Sequence, residues 1–431
     1  MAGSLKVLLV GGGGREHALA WKLSQSALVE HIYVVPGNGG TERLGSCVSN
    51  VSDTAADDYP QLLRLSQHLG VGLVVAGPDQ AVVDGIEGYF RGSGIPCFAP
   101  SKEAAKIEGS KAFAKGFMKR HGIPTAAYQV FDRYDKAKQY LESLDHRVVI
   151  KVDGLAAGKG VVVPVDKEDA HRALEEIMVH GKFGSAADSV IIEEYMDGNE
   201  ISVLTFSDGK TTRTLPPGQD HKRAYDGDRG PNTGGMGVYA PVPFVSATDM
   251  EEIERLILQP TFHGLEADGH PFVGMLFTGV MLTSAGPKVI EYNARFGDPE
   301  AQALILLLKD TDLAQVLLSC TNESLADVTI DVSSDFACNV TVAAGGYPQP
   351  NYSKGGTIVL HPPPKDVQIF QAGTTYVDGQ LVVSGGRVFS VSATGPTLRE
   401  AVSNAYAGVK SIRFDGMFYR TDIAEKSLSL L

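Results

Sequence analysis

At 431 residues the chain is too long for one ordinary domain, and its 43% apolar and 21% charged residues suit a globular protein with several cores. With 38 basic against 51 acidic residues the formal charge is −13, which excludes a long-range field gathering nucleic acid or an anionic membrane; any anionic ligand must be met by locally clustered cations. Four scattered cysteines without a C-x-x-C pair fit reduced thiols in a cytoplasmic protein and no zinc site, and no apolar run nears the ~18 residues of a membrane span.

The start, MAGSLKVLLVGGGG, reads as a strand running into glycines and not as a signal peptide. Residues 1–104 then alternate strand and helix patterns (KVLLV, REHALAWKLSQS, HIYVV, GLVVAG, AVVDGIEGYFRGSG), which predicts a parallel sheet covered by helices. Ser101 is expected to cap one long helix through Arg120, closed by Gly122 and Pro124. From about 125 to 208 strand patterns surround a single helix near 167–180, an α+β unit. An irregular glycine-rich loop is expected over 216–237, a helix near 248–267, two strands and a terminal helix over 299–308. The polar stretch 321–336 reads as a junction, followed by a small α+β tail. The fold class is therefore multidomain, α/β and α+β.

Chemistry concentrates in five stretches. VGGGGREHAL joins a strand to a helix through Gly12, Gly13 and Gly14, where backbone N–H groups and the helix dipole favour an anion. The second strand ends in Pro36, Gly37 and Asn38 without the acid a dinucleotide ribose needs, so a small phosphorylated ligand is expected rather than NAD. KVDGLAAGKGVVV is not a Walker loop: three residues, not four, separate Gly154 from Gly158, Gly160 stands where a metal-binding hydroxyl belongs, and strand follows instead of helix. IIEEYMDGNE ends a strand in acids where an adenine could lie, a weak signal that a solvated strand end matches equally well. The loop over 218–241 packs paired charges among glycines, which favours substrate binding over a solvated loop. In KVIEYNARFGDPEAQ, Glu291 and Asn293 alternate onto one strand face as hard oxygen ligands for magnesium. Arg295 beyond them could stabilise a moving phosphoryl group, whereas Asp298 and Pro299 read as the N-cap and first residue of the next helix.

In this order GGGGREHAL, DGLAAGKGV, DHKRAYDGDRGPNTGGMG and EYNARFGDPEAQ resemble the ATP-grasp ligases, and within them the glycinamide ribonucleotide synthetase family, over essentially the whole chain. The resemblance implies a Rossmann-like substrate-binding domain over 1–104, an ATP-grasp domain over 105–327 with a lid at about 125–196, and a C-terminal α+β domain over 328–431. It implies a cytoplasmic purine-synthesis enzyme that joins glycine to 5-phosphoribosylamine using ATP and magnesium, with manganese as the alternative, alone or fused to other modules.

By position, the resemblance assigns ATP to Lys111, Lys151, Gly158, Lys159, Gly160, Glu193, Glu194, Tyr195, Met196 and Glu200. Substrate falls to Gly12, Gly13, Gly14, Arg15, Glu16, Asp79, Asp220, Lys222, Arg223, Asp226 and Asn232. Metal falls to Glu291 and Asn293, and catalysis to Arg295, Lys159 and Lys222. Two departures stand out: FTGVMLTSAGP lacks the carboxylate that many ATP-grasp enzymes add for a second metal, and Asp79 replaces a more usual Glu. An ATP-grasp carboxylase working through carboxyphosphate and a non-catalytic nucleotide-binding protein remain open as alternatives.

Overall fold

The computed structural model describes residues 4–156 and 158–430. Its first sheet is parallel, with the strands Val48–Asn50, Val29–Pro36, Leu5–Gly11, Leu73–Ala76 and Cys97–Phe98 side by side in that order. Leu8, Leu9 and Val10 are completely buried, as expected of a central parallel strand covered on both faces. The glycines follow the carboxyl end of this strand, where open α/β sheets bind ligands.

A small antiparallel sheet follows, in the order Tyr128–Phe131, Val190–Glu194, Val148–Val152, Val161–Val162. The helices Tyr134–Ser143 and Lys167–Met178 pack on it, and Ile150, Ile192 and Leu174 form a core of its own. A third sheet pairs Thr212–Thr214, Asn199–Asp208, Val273–Thr283 and Gly286–Asn293. A fourth, mixing distant parts of the chain, orders Gln219–Asp220, Gly237–Ala240, Phe336–Ala343, Arg387–Gly395 and Val367–Gln371 under the helix Leu398–Val409.

Four local expectations are corrected. The stretch 125–208 holds two helices, Tyr134–Ser143 and Lys167–Met178, where one was expected. The helix capped by Ser101 ends at Gly109, and a second one, Lys111–Arg120, starts anew. Ser110 caps it through Phe113 N–H, while Asp153 accepts from Ser110 Oγ and Ala112 N–H, a partner from across the chain that local pattern does not reveal. The charged loop is not irregular throughout: Arg223–Tyr225 and Arg229–Asn232 pair as a hairpin, and its two ends enter the fourth sheet, Tyr239 opposite Cys338. Asp298 is not an N-cap: that helix begins at Glu300, and the Asp298 carboxylate is held instead by Arg387 (2.9 Å) and Gln302 (2.7 Å).

Candidate active site

The second, third and fourth sheets, with helices that follow strands of the first, line one cavity of about 1110 Å3. At one part of it, helix Lys111–Arg120 sets Lys111 and Lys115 four residues apart on one face. Lys111 Nζ donates to Gly154 O at 3.2 Å, and burial lowers its pKa. Lys151 and Lys115 both approach Glu193 Oε2, at 3.0 and 2.9 Å, and all three are almost completely buried. Burial, only partly offset by Glu193, brings Lys115 down to about 8. Glu194 and Tyr195 spend their backbone N–H groups on Ala127 O and Arg147 O, with the Arg147 guanidinium 4.0 Å over the Tyr195 ring. They, Met196, Glu200, Gly158, Lys159 and Gly160 all line the cavity.

Glu291 and Asn293 stand on the strand Gly286–Asn293, with Gly279 opposite Glu291, so the neighbouring strand adds no carboxylate there. Burial alone would push the Glu291 carboxyl up, but Lys222, Lys151 and Lys111 together outweigh it and hold the pKa at about 2. The carboxylate is thus ionised, as a hard cation requires. No cluster of three His, Cys, Asp or Glu suited to a metal occurs among the described residues, so an ion here would complete its shell with water or phosphate oxygens. Lys222 bridges Glu200, in a close contact, and Glu291 at 3.4 Å; despite burial these acids and Asp220 keep its ammonium charged.

Arg295 Nε lies 3.1 Å from Glu108 Oε1, an ion pair without hydrogen-bond alignment, while its Nη1 donates to Phe296 O. Glu108 in turn accepts from Ala294 N–H at 2.7 Å, so the arginine is held from a second element. Asp220, whose carboxyl is pushed well up by burial and by neighbouring Glu300, has a buried Oδ1 without a partner among the described residues. An acceptor of that kind is matched to an incoming N–H donor.

Arg15, Asp79, Arg223 and Asn232 join this wall, but five of the residues expected at the site do not. Glu16 is occupied by Gly13 N–H (2.6 Å) and Arg15 Nε (2.6 Å) as an internal capping box. Asp226 accepts from Thr421 N–H at 2.8 Å, and with Asp228 and Arg420 it ties the hairpin tip to the C-terminal segment. Gly12, Gly13 and Gly14 line a separate, smaller cavity of about 400 Å3 with Asn38, Thr374 and Ser390. Asp298 and Arg387 border both spaces.

Lys115, Glu108 and Arg387 were not singled out from sequence. For Lys115 a signal exists, four residues after Lys111; for Arg387, one arginine in a strand of the tail, none does.

Family models described as the phosphoribosylglycinamide synthetase N domain, ATP-grasp (A) domain and C domain match residues 5–108, 109–301 and 337–426. A bifunctional purine biosynthetic protein of Schizosaccharomyces pombe is 53% identical over 98% of this chain but 54% of its own length, so the chain spans about half of that relative. A phosphoribosylamine–glycine ligase of Caulobacter vibrioides is 47% identical over 98% of this chain and 99% of its own. Among solved structures, a phosphoribosylamine–glycine ligase from Thermotoga maritima superposes with a TM-score of 0.84 at 34% identity, covering 97% of this chain and 100% of that one. A biotin carboxylase domain from Hydrogenobacter thermophilus shares the fold at a TM-score of 0.73 and 14% identity, with 96% and 91% of the two chains covered. With three family models in register along it and a full-length relative near half identity, the chain belongs to the phosphoribosylglycinamide synthetase family.

Proposed function

We propose that the chain is an ATP-dependent ligase joining glycine to 5-phosphoribosylamine, giving glycinamide ribonucleotide, ADP and phosphate in purine synthesis in the cytoplasm. The observation that carries this reading is that one cavity is lined by Lys111, Lys151, Arg295, the Glu291–Asn293 pair and the unpartnered Asp220 oxygen. These are, in turn, cations for a triphosphate, oxygens for magnesium or manganese, and an acceptor for an amine.

A carboxylate has no good leaving group, so it must be phosphorylated before an amine can displace anything from it. Glycine's carboxylate attacks the γ-phosphorus of ATP and ADP leaves; the amine of phosphoribosylamine then attacks the acyl carbon, phosphate leaves and the amine gives up a proton. Lys111, Lys151 and Lys159 bind the phosphates, and Arg295, fixed by Glu108, stabilises the charge on the moving phosphoryl group. Glu291 and Asn293 would hold the divalent cation, which when bound neutralises phosphate charge. The lid loop at 153–160 excludes water from the acyl phosphate, and Asp220 accepts a hydrogen bond from an amine. The glycine loop, with Arg387 on the seam between the two cavities, takes the ribose 5-phosphate end. The bifunctional relative supports reading the chain as a module that works fused to, or beside, other purine-synthesis activities.

The test is an ADP-release matrix with glycine and phosphoribosylamine, each alone and together. ADP appears at full rate only with both. Bicarbonate-dependent release would transfer the chain to the carboxylases, and ATP binding without release would make it a non-catalytic binder.

A further inference from the structure

One carboxylate oxygen lies between two ammonium groups. Lys151 Nζ sits 3.0 Å and Lys115 Nζ 2.9 Å from the same Glu193 Oε2, while Glu193 Oε1 is buried with no hydrogen-bond partner among the described residues. Each lysine also has a fixed neutral partner: Lys151 donates to Ile290 O at 3.0 Å, and Lys115 to Thr125 Oγ1 at 2.8 Å, whose hydroxyl is itself tied to Val289 O. Lys115 is therefore held from the helix Lys111–Arg120, while Lys151 and Glu193 stand on neighbouring strands of the small sheet. At 2% exposure Lys115 has no surface role.

We propose that Lys115 is a positioning residue for Lys151: by sharing Glu193, it leaves the Lys151 ammonium with charge free for nucleotide phosphate. Glu193 with Lys151 alone would be a closed, neutral pair in a dry site, where such pairs are strong. With Lys115 present the cluster carries one net positive charge, and the attraction on Lys151 is divided. The inference rests on the reading that this cavity takes ATP.

A double-mutant cycle separates this role from direct contact or mere packing. Calorimetry measures Kd for a non-hydrolysable ATP analogue with magnesium in the wild type, Lys115→Met, Glu193→Gln and the double variant, with Lys115→Arg as the charge-keeping control. Lys115→Met should weaken binding about tenfold, a modest part of what a buried charge can exert, and leave the KM for glycine unchanged. Lys115→Arg should recover to within about threefold, because it retains the charge. The double variant should bind more tightly than Lys115→Met, since it removes the carboxylate that had captured Lys151.

An unchanged Kd in Lys115→Met, or a double variant as weak as the single one, overturns the proposal. Lys115→Gln, which keeps a donor for Thr125, takes the place of Lys115→Met if that variant does not fold, with the same outcomes. A wild-type protein that does not bind the analogue overturns the ATP reading and this inference together; binding without coupling overturns this inference alone.

Discussion

Gly158 sits at φ +75°, and a Cβ there would lie 3.0 Å from Thr233 O and 3.6 Å from Gly234 Cα of the charged loop. Gly158→Val thus meets two penalties in the arrangement the structure shows. The left-handed backbone costs an L-residue about 1–2 kcal/mol, and more when it is β-branched. The tight approach to a backbone carbonyl adds to this, and about 2–3 kcal/mol in total is the usual scale of such strain. The flanking strands Val148–Val152 and Val161–Val162 do not share it, so the variant relieves the strain by letting the loop lift. Stability should stay within about 1 kcal/mol of wild type, as for a surface change. Under the proposed lid role turnover needs the loop down, so it should fall roughly 30- to 150-fold, at about 1.4 kcal/mol per decade. Gly158→Ala should lie between. The assay is kcat beside thermal melting, with ADP and amide product counted separately: a poorly shut loop admits water to the acyl phosphate, so ADP should exceed amide. A kcat within threefold of wild type refutes the closure argument, and a ratio still at one in a slowed variant would mean that the loop positions ATP without shielding the intermediate.

Glu291→Gln removes an ionised oxygen from the expected cation site while keeping its size; turnover should drop about 100-fold or more with near-normal folding, and wild-type rates would sink the assignment. Arg295→Lys keeps charge but loses the planar fork that reaches both Glu108 and Phe296 O, so kcat should fall by more than the KM for ATP rises, and a change confined to the glycine KM would make Arg295 a substrate anchor. His17, whose Nδ1 accepts from Gln371 N–H, is held by burial at about 4 against an ordinary 6.5. The unfolded chain takes up that proton below about pH 6.5 and the folded one only near 4, so stability contributed by neutral His17 is present above pH 6.5 and is lost as pH falls towards 4. Urea unfolding at pH 7 and 4.5 should show His17→Gln losing less stability than wild type, by on the order of 2 kcal/mol; equal losses would refute it.

The parallel sheet of the first hundred residues is readable because its signal is local: apolar runs of strand length, glycines and amphipathic helices follow one another within reach of a short window. The same holds for Glu291 and Asn293, whose common face follows from the period of a strand. The break at Ser110 was not readable, because its decisive partner, Asp153, is 43 residues away. The strands at the ends of the charged loop were hidden for a related reason. Gln219–Asp220 and Gly237–Ala240 are too short to declare themselves: Gly237–Ala240 becomes a strand by pairing with Phe336–Ala343, a hundred residues on, and Gln219–Asp220 by pairing with Gly237–Ala240 in turn. For Lys115 the four-residue spacing from Lys111 points only to a shared helix face; a lysine on a helix is normally solvated, and only the fold shows this one buried against Glu193.

How an acidic chain accepts a triphosphate follows from the same placement. A formal charge of −13 is spread over the whole surface, and salt screens it within about 8 Å. What ATP meets is the cavity wall, where eleven lysines and arginines stand against twelve aspartates and glutamates among the described residues, close to balance. The balance is not uniform in strength. Burial pushes Asp220 and Glu300 towards their neutral forms, so part of the acidic count carries less than its full charge, while Glu291 stays ionised beside the lysines that depress it. Lys222 touches Glu200 and Glu291 and feels Asp220, so its ammonium is shared between the expected cation site and the acid with the open oxygen. A divalent cation arriving at Glu291 must repel that ammonium, and the group with most to gain from its release is Asp220. Under the proposed function, cation binding at Glu291 and the state of Asp220 are thus linked through one side chain, Lys222.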